Sequence, residues 1–235
     1  MEIARLLNKR QYVENYFAEL DFNEEAHRYK YRGRVLYSVS SVIKRCTPVF
    51  DADKIAGYVA RSRNISKAEV LAEWEDIKNK ACDFGTKVHL FGERYRVGDI
   101  PEDGHEQAIV KFWDEVPKHI VPFMFELQMF SEELGIAGTA DIILYNTRTG
   151  NFIIADYKTN KDLFKNHKNQ TLLAPFQDKL DMPLSKYDIQ LSFYKHLFEQ
   201  CGFKVEACKV VWLKPDGSYE LYNSPDLIDK ALTLL

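Results

Sequence analysis

The stretch IAGTADIILYNTRTGNFIIADYKT, Ile136 to Thr159, decides the fold. Two runs rich in β-branched and aromatic residues, Ile136 to Tyr145 and Asn151 to Lys158, flank the turn-forming NTRTG. That pattern reads as two antiparallel strands joined by a short connection. Pairing Tyr145 with Phe152 fixes the register, and counting along it sets Asp141 opposite Asp156. Both carboxylates are then expected on one face, close enough to share a divalent cation. Side-chain alternation brings Lys158 to that face two residues further on. Hard cations such as Mg2+ or Mn2+ held by carboxylate oxygens neutralise phosphate charge and generate a nucleophile from water near neutral pH. A lysine beside them can orient or deprotonate that water, so the spacing points to phosphodiester cleavage.

Working outward, Asp156 follows the apolar run Phe152-Ile153-Ile154-Ala155, which places its strand centrally and its carboxylate at the strand's end beside buried surface. Asp141 follows Ile136 to Ala140, where Gly138 is expected to let another backbone or a ligand come close. Glu126 is a third carboxylate inside the apolar strand Phe123 to Phe130, with an edge-strand surface position as its plain alternative. His89 and Glu93 lie four apart on a helix after Gly85, so the imidazole could complete a mixed nitrogen and oxygen site that favours Mn2+. Gln190 and Tyr194 are likewise four apart on a helix. Taken singly, each reads equally as structure: a D-x-K tripeptide as a turn and a solvated charge, the histidine and tyrosine as helix packing.

Taken in order, GTKVH with Glu93, then Glu126, GTAD (Gly138 to Asp141), DYKT (Asp156 to Thr159) and QLSFY (Gln190 to Tyr194) resemble the RecB-like exonuclease branch of the PD-(D/E)XK nuclease superfamily. The resemblance spans Phe84 to Leu213, and other segments are similar to stand-alone phage exonucleases. It implies an α/β fold: a restriction-endonuclease-like core with a central mixed β-sheet flanked by helices, plus a helical N-terminal region. It implies His89, Asp141, Asp156 and the Tyr157 backbone carbonyl as ligands of one or two Mg2+ or Mn2+ ions, and Lys158 as the catalytic lysine. Glu126 resembles the family's acidic residue on the first core strand, and Glu93 a hydrogen-bond acceptor behind the ligands. Gln190, Tyr194 and Thr159 are expected to help hold DNA. Some relatives carry an iron-sulfur cluster on one upstream and three downstream cysteines; here only Cys201 and Cys208 lie downstream, so no cluster is expected.

Elsewhere, Met1 to Phe17 reads as an amphipathic helix and Ala26 to Val39 as a small hairpin around Arg32-Gly33. Ser41 to Arg45 and Asp53 to Arg63 read as short helices. Ser66 with Glu69 forms a capping box opening a helix toward Lys80. Gly85 is expected to break that stretch, with a new helix from about Thr86 to Arg96, and the resemblance from Phe84 onward implies an N-terminal helical region with a small hairpin, 1–83, packed on a nuclease core, 84–235. A helix from Glu106 to Glu115 stops before Pro117, another runs from Lys186 to Gln200, and Lys204 to Leu213 reads as the last strand. In the irregular Asn160 to Pro183, Lys161, Lys165, His167 and Lys168 interleave with Phe164 and Phe176. This run is either a solvated loop or a track for phosphates with a ring to stack on a base.

Composition bounds the partners. A net charge of -3 over 235 residues gives no global basic signature, so contact with nucleic acid must rest on local lysines or on metal ions. Scattered cysteines, no secretory leader and no long apolar run point to free thiols and a cytoplasmic location, the host's if phage-encoded, with no membrane partner. The expected function is a metal-dependent exonuclease on single-stranded DNA or duplex ends, in recombination, repair or phage DNA processing, alongside other recombination or replication proteins. An RNA endonuclease of the same fold, or a catalytically silent DNA-binding protein, are the alternatives.

Overall fold

A computed structural model describes residues 2–23, 26, 28–95 and 100–235. The chain divides into two units, Met1–Thr47 with Pro101–Leu235, and Pro48–Ile100. The first is α/β: a mixed sheet flanked by helices, with an N-terminal helix.

That helix, α1 (Glu2–Phe17), buries Val13 and Phe17, and Phe17 meets Phe130 edge-on at 5.9 Å. Three short antiparallel strands follow, β1 (Leu20–Asn23), β2 (Arg28–Tyr31) and β3 (Arg34–Ser38). Arg32 and Gly33 both take positive φ in the β2–β3 turn, the geometry a two-residue hairpin loop requires. This hairpin is part of the main sheet, because β3 runs parallel to a strand of the core. The short α2 (Val39–Ile43) comes next, capped by the Ser38 hydroxyl.

The core strands are β4 (Ile120–Ser131), β5 (Ile136–Asn146), β6 (Phe152–Lys158), β7 (Val205–Leu213) and β8 (Tyr219–Ser224). The sheet order is β1-β2-β3-β5-β6-β7-β8, with β4 paired to β5. The β6–β7 and β3–β5 pairs are parallel and the others antiparallel. Two long helices cover the two faces. On one, α5 (Gly104–Glu115) packs Phe112 and Trp113 on Tyr157, the Trp113 indole donating to the Tyr157 hydroxyl at 2.9 Å. On the other, α6 (Pro183–Glu199) sets Phe198 against Phe152 at 5.0 Å. Coverage on both sides is why Phe152 to Tyr157 is an unbroken buried run instead of an alternating one. Lys204 to Leu213 is therefore not the last strand: Pro215 to Ser218 turns the chain into β8, and a short α7 (Ile228–Ala231) follows.

The second unit is a helical hairpin of α3 (Ala52–Arg63) and α4 (Lys67–Arg94), packed through Ala56, Ala60 and Val70. The Ser66–Glu69 capping box opens α4 as its sequence indicates. Gly85 does not break the helix, which runs through it for 28 residues. One interior glycine costs only about 1 kcal/mol, too little to end a helix with a formed cap and an apolar face. The boundary expected at residue 83 thus falls inside α4.

Candidate functional site

The site begins at a fork in the sheet. Strand β4 follows one edge of β5; on the other edge β3 takes Ile136 and Ala137 and β6 takes Ile142 to Tyr145. Residues 138–141 lie between those two neighbours. Tyr145 does pair with Phe152, and the ladder runs as far as Ile142 with Ala155. At the next step side chains replace it. The Asp141 N–H donates to Asp156 Oδ1 at 3.5 Å, a long bond, and the Tyr157 N–H donates to Asp141 Oδ2 at 2.8 Å. Each aspartate is tied to the other's strand, and both are buried, at 8% and 1% exposure. The N–H and C=O of a strand residue face the same edge, so the Tyr157 carbonyl points to the side on which Asp141 sits.

Glu126 approaches from the opposite edge. Pairing of Phe125 with Ile142 and of Leu127 with Ala140 sets it against Asp141. Its φ is +47°, left-handed in mid-strand, which costs a residue with a Cβ roughly 1–2 kcal/mol. Such strain persists where surrounding structure enforces it, commonly at functional positions. Here it accompanies a Glu126 carboxylate oxygen within 4.8 Å of one from Asp141. Glu126 is half-buried, not a surface residue of the edge.

Lys158 ends β6 with its ammonium ion-paired to Asp156 Oδ2 and its side chain 13% exposed. Burial works against the charge, but Asp156 first, then Asp141 and Tyr187, outweigh it and hold the lysine above its ordinary pKa. The face of the Tyr187 ring lies 4.6 Å from Nζ. On α6, the Gln190 amide donates to the Tyr194 hydroxyl at 2.7 Å. Burial, with Asp156 adding, pushes that hydroxyl well above its usual pKa. A Cβ on Gly138 would stand 2.5 Å from the Tyr194 ring and 3.2 Å from Val39. The close approach expected at Gly138 is therefore that of a side chain, and it locks the GTAD strand to the Gln190–Tyr194 helix.

Of the other expected residues, Thr159 is half-buried, and Lys161, Lys165 and Lys168 are exposed on the segment 159–182. That segment is anchored by buried Leu163, Leu172 and Phe176 and by Asn166, whose amide donates to the Gln170 and Asp181 carbonyls. Phe176 is fully buried and has no face to offer a base; Phe164 is 45% exposed and packs edge-on against Trp212 and Tyr222. His89, half-buried, and Glu93, exposed, both lie on α4 of the second unit.

Sequence reasoning missed Tyr187, Asn160 and Trp212. The Tyr187 hydroxyl donates to Asn160 Oδ1 and the Trp212 indole to the Asn160 carbonyl, each at 2.7 Å. A signal existed: Tyr187 precedes Gln190 by three residues and so shares its helix face.

No family profile and no curated protein sequence match this chain. Among solved structures, the crystal structure of SSO0001 is similar over 100% of this chain and 83% of its own, at 17% identity and a TM-score of 0.36. A likeness at that level identifies neither a family nor an activity.

The donor chemistry itself is informative. Glu126, Asp141 and Asp156 offer hard oxygens in a largely dehydrated place, and Lys158 offsets one of their charges. Hard oxygen donors of this kind could hold a hard divalent cation.

Proposed function

We propose that this chain is a metal-dependent nuclease with a restriction-endonuclease-like core, hydrolysing phosphodiester bonds in DNA from strand ends. The observation that carries the reading is the crossed tie between β5 and β6, in which the Asp156 carboxylate accepts from the Asp141 N–H and the Asp141 carboxylate from the Tyr157 N–H, with Glu126 beside Asp141 and Lys158 ion-paired to Asp156. Buried carboxylates concentrated in this way are costly unless a cation or a lysine compensates them.

Asp141, Asp156 and Glu126 would hold the metal, which supplies charge neutralisation and a nucleophile from water when bound. His89 is proposed as a nitrogen donor on the sequence pattern alone, and the Tyr157 carbonyl as an oxygen donor. Lys158, ion-paired to Asp156 at the end of β6, would orient the attacking water or steady phosphate charge. Gln190 and Tyr194 fix the α6 side of the site, and the exposed Lys161, Lys165 and Lys168 supply contacts to the phosphate backbone that the acidic whole lacks.

The test is incubation of end-labelled single- and double-stranded DNA, with RNA alongside, in Mg2+, Mn2+ or EDTA. Metal-dependent loss of terminal nucleotides from DNA is expected. Cleavage of RNA alone would move the substrate, and intact nucleic acid under every metal would refute the reading.

A further inference from the structure

Lys158 and a metal on Asp156 would share one carboxylate. The ammonium is ion-paired to Asp156 Oδ2, an oxygen a cation ligated by that aspartate would draw on. A displaced ammonium cannot reach water cheaply, since only 13% of the side chain is exposed. The face of an aromatic ring attracts a cation, the more so when desolvated. Such a face lies 4.6 Å from Nζ, on Tyr187.

The ring is itself held. Its hydroxyl donates to Asn160 Oδ1, and the Asn160 carbonyl accepts from the Trp212 indole. Trp212 is the register partner of Lys158 on β7. The chain Trp212, Asn160, Tyr187 thus links β7, the strand paired with the one that bears the lysine, to α6. Neither Tyr187 nor Asn160 belongs to the motifs that define the site.

We propose that Tyr187 is a positioning residue that gives Lys158 a second seat, so that a cation can take Asp156 while the ammonium stays over the site. This deepens the nuclease reading and rests on its assignment of Asp156 as a ligand. Lys158 acts as the site's internal counter-ion before loading, and Tyr187 lowers the cost of exchanging it.

The experiment measures Mn2+ binding calorimetrically to the full chain, without nucleic acid, in a double-mutant cycle. Tyr187→Leu is expected to weaken Mn2+ about tenfold, the scale of a desolvated cation–π contact. In a Lys158→Met background, where no ammonium needs a seat, the same substitution is expected to change nothing. Tyr187→Phe keeps the ring and is expected to bind as the parent does, with circular dichroism melts confirming that each variant is folded. An equal loss in both backgrounds, or no loss in either, overturns the proposal and leaves the nuclease reading standing. Wild-type protein that binds no Mn2+, or an Asp156→Asn variant that binds it equally well, overturns both. A coupled cycle with no cleavage of any nucleic acid would sink the nuclease reading alone.

Discussion

Asp141 has two jobs that separate by substitution. As an acceptor it holds the Tyr157 N–H at 2.8 Å; as a carboxylate it stands beside Glu126. Asp141→Asn can still accept the N–H but is a poorer cation ligand, so it should lose most cleavage while its urea midpoint stays near wild type. Asp141→Ala removes the acceptor as well and should cost about 1–3 kcal/mol of stability. Equal stability of the two variants would show that the bond contributes nothing. For Lys158→Ala, cleavage should fall by roughly 10²–10³-fold, as when one preorganised charge-stabilising donor is removed. A single-turnover rate close to wild type would exclude the lysine from the chemistry. At this scale the sequence was legible where spacing on a strand decides position. Asp141, Asp156 and Lys158 follow from one register; the left-handed φ of Glu126 is a local backbone feature that no periodicity encodes, and Tyr187, though on the Gln190 face of its helix, reaches Lys158 only through the packing of α6 on the sheet.

Elements explain why motifs far apart in sequence act together. Gly138 exists as glycine because the Tyr194 ring occupies the place of its Cβ, and the Gln190 amide holds that ring from behind. Gly138→Ala should therefore destabilise the fold by about 1–3 kcal/mol, the usual cost of overpacking. A thermal melt of Gly138→Ala in a Tyr194→Leu background should recover much of that loss; full additivity would argue against the contact. The segment 159–182 carries a second element-scale contrast. Phe176→Ala should unfold the chain readily, at about 3–5 kcal/mol for a buried phenylalanine. Phe164→Ala should leave the melt close to wild type. Replacing Lys161, Lys165 and Lys168 together by Ala should weaken DNA binding and flatten its salt dependence without altering Mn2+ binding. An unchanged salt slope would reduce them to solvated surface. Strands, caps and the hairpin were readable from alternation, the capping box and Arg32-Gly33. Strand β8 was not, because half-buried edge strands alternate weakly, and the continuity of α4 was not, because one glycine weighs less than the cap and apolar face that override it.

For the molecule as a whole, the apolar run Phe152 to Ala155 marked its strand as central, and the α/β class with a mixed sheet flanked by helices, which the family resemblance implied, is the one observed. The sequence did not carry the partition of the chain, which depends on β3 returning to pair with β5 from over ninety residues away, a contact with no local signature. No helix among the described residues is long and apolar enough to cross a membrane. With a net charge of -3, binding should be weak, with a salt dependence set by the few exposed lysines that contact phosphate. If those lysines feed a strand end toward Lys158, covalently closed single-stranded circles should resist digestion that degrades the same sequence when linear; rapid loss of circles would assign an internal cut. The claim beneath all of this is that Asp156 works through a bound divalent cation. It is tested most directly by the single-turnover hydrolysis rate of end-labelled DNA in Mg2+, compared between wild type and a folded Asp156→Asn variant, with EDTA as control. The account predicts cleavage by wild type, none in EDTA, and a loss of more than about 100-fold in the variant, at least the scale of disturbing a ligand's support. Cleavage that persists in EDTA, or a variant as fast as wild type, would contradict it.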